Sequence, residues 1–155
     1  MELSEKLKVK PLTVLAVGID AGVNTGIAVW DKPTQKFNDI FTTDFWGAIT
    51  YLDSAIYPFE VVIEDPRGNK PVFMKRGVKG RGYLKIAQNV GSVKRDTQLI
   101  YEWCINHKIS VTCVVPGKSK WRKGKITSAE FKRITGYEKS TSQHGRDGGM
   151  LVFGK

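Results

Sequence analysis

Residues 14–30, VLAVGIDAGVNTGIAVW, form two apolar runs around a short polar turn. The first climbs to a single carboxylate, Asp20, and the chain then turns through Gly22 and Gly26 into the second. This pattern predicts a hairpin whose first strand, apolar nearly throughout, is covered on both faces. After the turn at Asp31-Lys32-Pro33, residues 36–43 (KFNDIFTT) read as a third, edge-like strand. Phe45, Ile49, Leu52 and Ile56 recur at helical spacing, which predicts a helix over 45–56 closed by Pro58. Residues 59–64 (FEVVIE) are a short β-branched strand that again ends in an acid, Glu64. The longest helical pattern covers 84–107. Its stripe of Ile86, Val90, Val93, Thr97, Ile100 and Cys104, widened by Leu99 and Trp103, has area for a core and for a partner subunit, with burial inside one chain accounting for most of it. Residues 109–115 (ISVTCVV) are a further strand. Thr127 and Glu130 form a capping-box pair before a short helix that Gly136 closes. A last helix is predicted over 142–153, capped by Ser142 or Thr141. Gly145, Gly148 and Gly149 each cost it about 1 kcal/mol against alanine, so either its backbone lies very close to something or the helix is irregular there.

Strands joined by tight turns are antiparallel, whereas strands that follow a helix return parallel by right-handed crossovers. The expected fold is therefore α/β: a mixed five-stranded sheet, three antiparallel strands then two parallel, with helices on both faces. A chain of 155 residues reads as one domain over 12–155 behind a solvated arm, 1–11, which has no hydrophobic signal core. No apolar stretch has the length of a membrane span. Cys104 and Cys113 lack metal-ligand spacing and read as reduced core residues of a cytoplasmic protein.

Charge changes the picture. The net charge is +10, and its placement is segregated. Seven basic residues and no acid fall within 67–85 (Arg67, Lys70, Lys75, Arg76, Lys79, Arg81, Lys85). Five more, Lys118, Lys120, Arg122, Lys123 and Lys125, fall within 118–125. With those twelve set aside, 13 basic residues face 15 acidic ones. Two basic segments on an otherwise slightly acidic chain suit a polyanion, and nucleic acid is favoured over an anionic membrane because neither segment has an apolar helical face. Phe73, inside the first segment, either anchors its loop by burial or stacks on a base.

Asp20 taken alone opens a turn, His144 taken alone is a surface residue near the chain end, and Asp147 taken alone balances Arg146. The topology sets Asp20 and Glu64 side by side on neighbouring parallel strands, where two carboxylates repel unless cations lie between them. His144 and Asp147, three residues apart, share one helix face. Three oxygen donors and an imidazole suit one or two Mg²⁺ or Mn²⁺ ions better than structural zinc. A pair of such ions about 4 Å apart is the usual device for activating water and stabilising the leaving oxygen in phosphodiester cleavage.

In this ordered set the chain resembles the RuvC family of Holliday-junction resolvases, within the RNase H-like nucleases. VGIDAGVNTGIAVWD resembles the family's first strand and turn, VVIEDPRG the strand ending in the second acid, Pro71-Val72-Phe73-Met74 the loop with the junction-wedging aromatic, and SQHGRDGG the terminal helix. The resemblance implies that Asp20, Glu64 and Asp147 are catalytic metal-binding acids, with His144 in the place of a fourth as ligand or proton carrier. It also implies a homodimer, paired through the 84–107 helix, that nicks opposed strands of a four-way junction. Lys118 and Lys120, with Lys132 behind them, are the candidates for the scissile phosphate, the alternatives for each being an ordinary backbone-phosphate contact or a solvated side chain. The acid-Gly-Gly turn also occurs in actin-like sugar kinases, which are far longer. A longer, more basic loop after Glu64 and the Gly148-Gly149 pair mark a divergent member, of a kind a phage would encode. Rival readings are a broader nuclease of flaps, forks and replication intermediates, an RNA-cleaving relative, and an inactive junction-binding module.

Overall fold

The computed structural model describes residues 12–68, 81–116 and 125–155. Strands β1 (Leu15–Asp20), β2 (Thr25–Asp31) and β3 (Lys36–Thr43) form the predicted antiparallel meander. β4 (Phe59–Glu64) pairs parallel with β1, and β5 (Val111–Val114) parallel with β4, so the described strands lie in the order β3-β2-β1-β4-β5. Helices α1 (Phe45–Asp53), α2 (Arg81–Asn106), α3 (Ser128–Thr135) and α4 (Gln143–Val152) cover the sheet. β1 is the central strand, which is why its sequence is apolar on both faces. No described helix is long and apolar enough to cross a membrane.

The pleat sends alternate side chains to two cores. Val17, Ile19, Val61 and Ile63 pack with Ala48 and Leu52 of α1 and Ile100 and Cys104 of α2. Ala16, Ala28, Trp30 and Val62 face α3 and α4, where Phe131, Met150 and Val152 are buried. On this second face Trp30 meets Phe37 and Phe153 edge-on, with ring centroids 4.8 and 5.4 Å apart.

α4 is a regular helix in which Gly148 marks contact of backbone on backbone, whereas Gly145 and Gly149 make room for the side chains of Ile40 and Phe131. A Cβ on Gly18 would overlap the Gly148 carbonyl, and one on Gly26 would overlap the His144 carbonyl. In the reverse direction, a Cβ on Gly148 would stand 2.9 Å from the Gly18 oxygen. The helix thus lies directly on β1 and β2, its first turn over the end of β1 where Asp20 stands.

Several boundaries differ from expectation. α1 ends at Asp53, because Ser54 caps it and returns its hydroxyl to the Tyr51 carbonyl. Ile56 therefore lies beyond the helix and is 91% exposed. α2 closes at Asn106 with Lys108 in the left-handed region and the Ile109 N–H reaching back to the Cys104 carbonyl. Its stripe is buried only in its second half, at Thr97, Ile100 and Cys104; Ile86 is exposed. Cys113 is likewise exposed, on edge strand β5, and only Cys104 is a core thiol, its pKa pushed up to about 12 by burial. The expected arm, 1–11, lies outside the described residues.

Two substitutions test this packing. Gly18→Ala drives a methyl group into the Gly148 carbonyl, which cannot rotate away, and is expected to cost about 3 kcal/mol or more. Gly91→Ala, in α2 with no atom of the described residues within 4 Å of the added methyl, is expected to gain up to about 1 kcal/mol. Urea midpoints at constant m-value measure both. A third test concerns the α3 capping box, in which Thr127 accepts from the Glu130 N–H while its own N–H and hydroxyl donate to the Glu130 carboxylate. Those donated bonds hold the Glu130 carboxyl below its usual range. Its contribution is therefore complete above the ordinary glutamate pKa of about 4.3 and lost as pH falls through the lower folded value. Thr127→Ala, which removes the hydroxyl but keeps the backbone N–H donated to Glu130, is expected to lower stability at neutral pH and to weaken that acid-side dependence without abolishing it, as read from thermal melts across pH.

Candidate active site

Asp20 is the last residue of β1, opposite Gly26 of β2. The β1–β4 register pairs Ile19 with Ile63, so one step further sets Asp20 beside Glu64. Ala16 and Val62 face α3 and α4. By the two-residue period of the pleat, Asp20 and Glu64 point to that same face.

α4 brings the other two groups. Ser142 caps the helix by accepting from the Gly145 N–H at 2.9 Å, and its hydroxyl also meets that of Thr42 on β3. With the helix start held there, His144 Nδ1 lies 2.9 Å from Asp20 Oδ2, joining residues 124 positions apart in the chain. The Asp20 side chain is 18% exposed and that of His144 45%. An Nδ1–H donated to Asp20 leaves Nε2 of the neutral ring with the lone pair, the form in which imidazole accepts a proton or ligates a metal. Asp147, buried at 6% exposure, accepts from Gln143 Nε2 at 2.8 Å.

The sheet edge and α4 thus bring Asp20 and His144 into contact and set Glu64 and Asp147 on the same side of the sheet. Among the described residues no three His, Cys, Asp or Glu side chains close into a cluster that could grip an ion as they stand. The donor chemistry, three carboxylates and an imidazole, fits hard divalent cations, and a bound ion would have to draw the donors closer together.

Past Glu64 the chain is clamped. Asp65, 8% exposed, accepts from Arg67 through its backbone N–H and Nε at 2.9 Å and Nη2 at 2.7 Å, while its own N–H donates to the Val114 carbonyl. The Arg67 hydrogen bonds hold the Asp65 carboxyl below the usual carboxylate range. The guanidinium also lies 5.2 Å from the centre of the Tyr101 ring. Arg67 is thereby engaged within the chain, a role that the sequence signals only through the Asp-Pro-Arg spacing.

Of the other basic candidates, Arg81 and Lys125 are exposed, and Lys132 pairs with Glu138 at the surface. Lys70, Phe73, Lys75, Arg76, Lys79, Lys118, Lys120, Arg122 and Lys123 lie outside the described residues. Gln143 and Arg146, which surround Asp147, had no signal in the sequence beyond their positions near two candidate ligands.

No protein-family model and no curated protein sequence matches the chain. Among solved structures it is similar to T. thermophilus RuvC in complex with a Holliday junction substrate, at 12% identity, with a TM-score of 0.57 and 90% of each chain covered. The mixed five-stranded sheet with helices on both faces is a RuvC-like, RNase H-like fold.

Proposed function

We propose that this chain is a divalent-cation-dependent endonuclease that resolves four-way DNA junctions by paired nicks. The observation that carries the reading is the Asp20–His144 contact, made at the end of β1 beside which the strand register sets Glu64. Asp20, Glu64 and Asp147 would hold Mg²⁺, or Mn²⁺ in its place, with His144 as a further ligand or as the group that moves a proton. When bound, a pair of such ions supplies Lewis acidity and lowers the pKa of a coordinated water. Asp20 orients the His144 ring through Nδ1, which fixes the nitrogen left for that task. The junction as substrate comes from the solved RuvC neighbour, whose structure contains one.

The two basic segments supply attraction for phosphates, with Arg81, Lys125 and Lys132 as their described members or neighbours. The chain acts as a homodimer, because a two-fold pair of sites matches a junction's symmetry. Leu84 and Ile86, 59% and 42% exposed on α2, and the apolar groove of Phe45, Trp46, Ile49, Leu99 and Trp103 between α1 and α2 support a protein contact there.

Asp20→Asn is expected to bind a four-way junction like the parent in EDTA while cleavage in Mg²⁺ falls by about 10³-fold or more. Cleavage at the parental rate would remove the site. A panel of junction, fork, flap and duplex substrates, run with and without Mg²⁺, separates junction resolution from broader branched-DNA cleavage. Two basic residues should behave differently. Lys125→Ala is expected to lower the salt dependence of junction binding, log K against log salt, by about one unit. Arg67→Ala should leave that slope unchanged and cost about 1 kcal/mol of stability, a figure discounted for the partial exposure of the Asp65–Arg67 pair.

A further inference from the structure

Asp147 takes a hydrogen bond from a side chain whose own orientation is dictated from outside the acid set. Gln143 Nε2 donates to Asp147 Oδ1 at 2.8 Å, and Arg146 Nη2 donates to Gln143 Oε1 at 3.1 Å. An amide has one accepting end and one donating end, whereas a guanidinium only donates. Arg146 therefore selects the flip of Gln143, oxygen toward the guanidinium and NH₂ toward the acid. The opposite flip would set donor against donor and acceptor against acceptor, losing both bonds in a partly buried setting.

Arg146 is itself fixed from two further segments. Its Nε donates to the Ile126 carbonyl at 3.0 Å, and its Nη1 to the Thr141 carbonyl at 2.6 Å and the Thr141 hydroxyl at 3.3 Å. The guanidinium thus ties the approach to α3, the approach to α4 and the first turn of α4 into one network. A helix start needs no such network, since Ser142 already caps it. What the network adds is a donor aimed at a buried carboxylate.

We propose that Gln143 is a positioning residue for Asp147, held in its donating orientation by Arg146, so that the carboxylate is oriented before the donors draw together around a cation. This rests on the proposed function, because it assigns Asp147 to a divalent ion. Groups that hydrogen-bond a ligating carboxylate change metal affinity by about 10–100-fold when removed. Gln143→Leu keeps the bulk and removes the donor. Arg146→Lys keeps the charge but cannot reach Ile126, Thr141 and Gln143 together, so the amide is released to flip.

The test is calorimetric titration of the full chain with Mn²⁺ in the absence of DNA, beside thermal melting and junction binding in EDTA. Gln143→Leu is expected to weaken Mn²⁺ binding by about 10–100-fold and Arg146→Lys by a smaller factor. Melting should stay within a few degrees of the parent, and junction binding should be unchanged. Parental Mn²⁺ affinity in Gln143→Leu, with or without a lowered melting temperature, would overturn the proposal by leaving the residue a purely structural role. Should Gln143→Leu fail to fold, Arg146→Lys carries the same test, and parental affinity there removes the relay. If Asp20→Asn loses Mn²⁺ while both variants keep it, the active-site reading stands and this inference falls. A parent chain that takes up no Mn²⁺ overturns both.

Discussion

The approach of α4 to β1 and β2, backbone against backbone, is the constraint from which the site follows. Gly18 and Gly26 clear a trough in the centre of the sheet, and Gly148 lets the helix settle into it. A helix normally rides on its side chains at about 8–10 Å from its neighbour. Here there is no room for them, so residues on the flank of the helix are lowered toward the sheet surface. His144 reaches Asp20 for that reason. Glycine in a helix costs about 1 kcal/mol per residue. That cost is offset where Phe131, Met150 and Val152 bury fully against Trp30 and Val62, at about 2 kcal/mol or more for each large side chain.

The same geometry explains why acids can stand at the end of the most deeply covered strands. β1 and β4 are parallel and central, so their ends open at one edge while their middles are sealed on both faces. Carboxylates at that edge retain partial access to water, yet are confined enough to need partners. Each partner also fixes a direction. His144 orients against Asp20, Gln143 against Asp147, and Arg67 locks Asp65 so that the chain leaves β4 along one path. Two described arginines beside these acids in sequence, Arg67 and Arg146, make hydrogen bonds within the fold.

Much of this was legible in the sequence because it depends on period and punctuation. The apolar runs ending in Asp20 and Glu64, the Gly22–Gly26 turn and the Thr127/Glu130 box are local signals that no tertiary contact overrides. The glycines of α4 stated a close approach without naming its partner; Gly18, in the middle of a strand, was the matching half of that signal. The failures came where local pattern loses to context. Ile56 continued a helical spacing that Ser54 interrupts, Cys113 sat in an apolar run that proved to be an exposed edge, and the first half of α2 carried a core-like stripe with little core beneath it. The Arg146–Gln143–Asp147 relay was invisible for a different reason: hydrogen bonds between polar side chains three and four residues apart leave no hydrophobic period to read.

On the proposed function, the acids and the basic segments pull DNA in opposite senses, and that opposition makes cation and phosphate binding interdependent. A phosphodiester about 4 Å from one carboxylate meets a repulsion of roughly 4 kcal/mol at an effective dielectric constant of 20, and several carboxylates share this edge. A charge more than a screening length from a phosphate, about 8 Å at physiological salt, acts on it only weakly. On that proposal the basic segments attract the duplex arms, while entry of one phosphate to the acids requires divalent charge at the site itself. Grip and cleavage then separate by physics, since the first needs only diffuse positive charge and the second needs charge at a point.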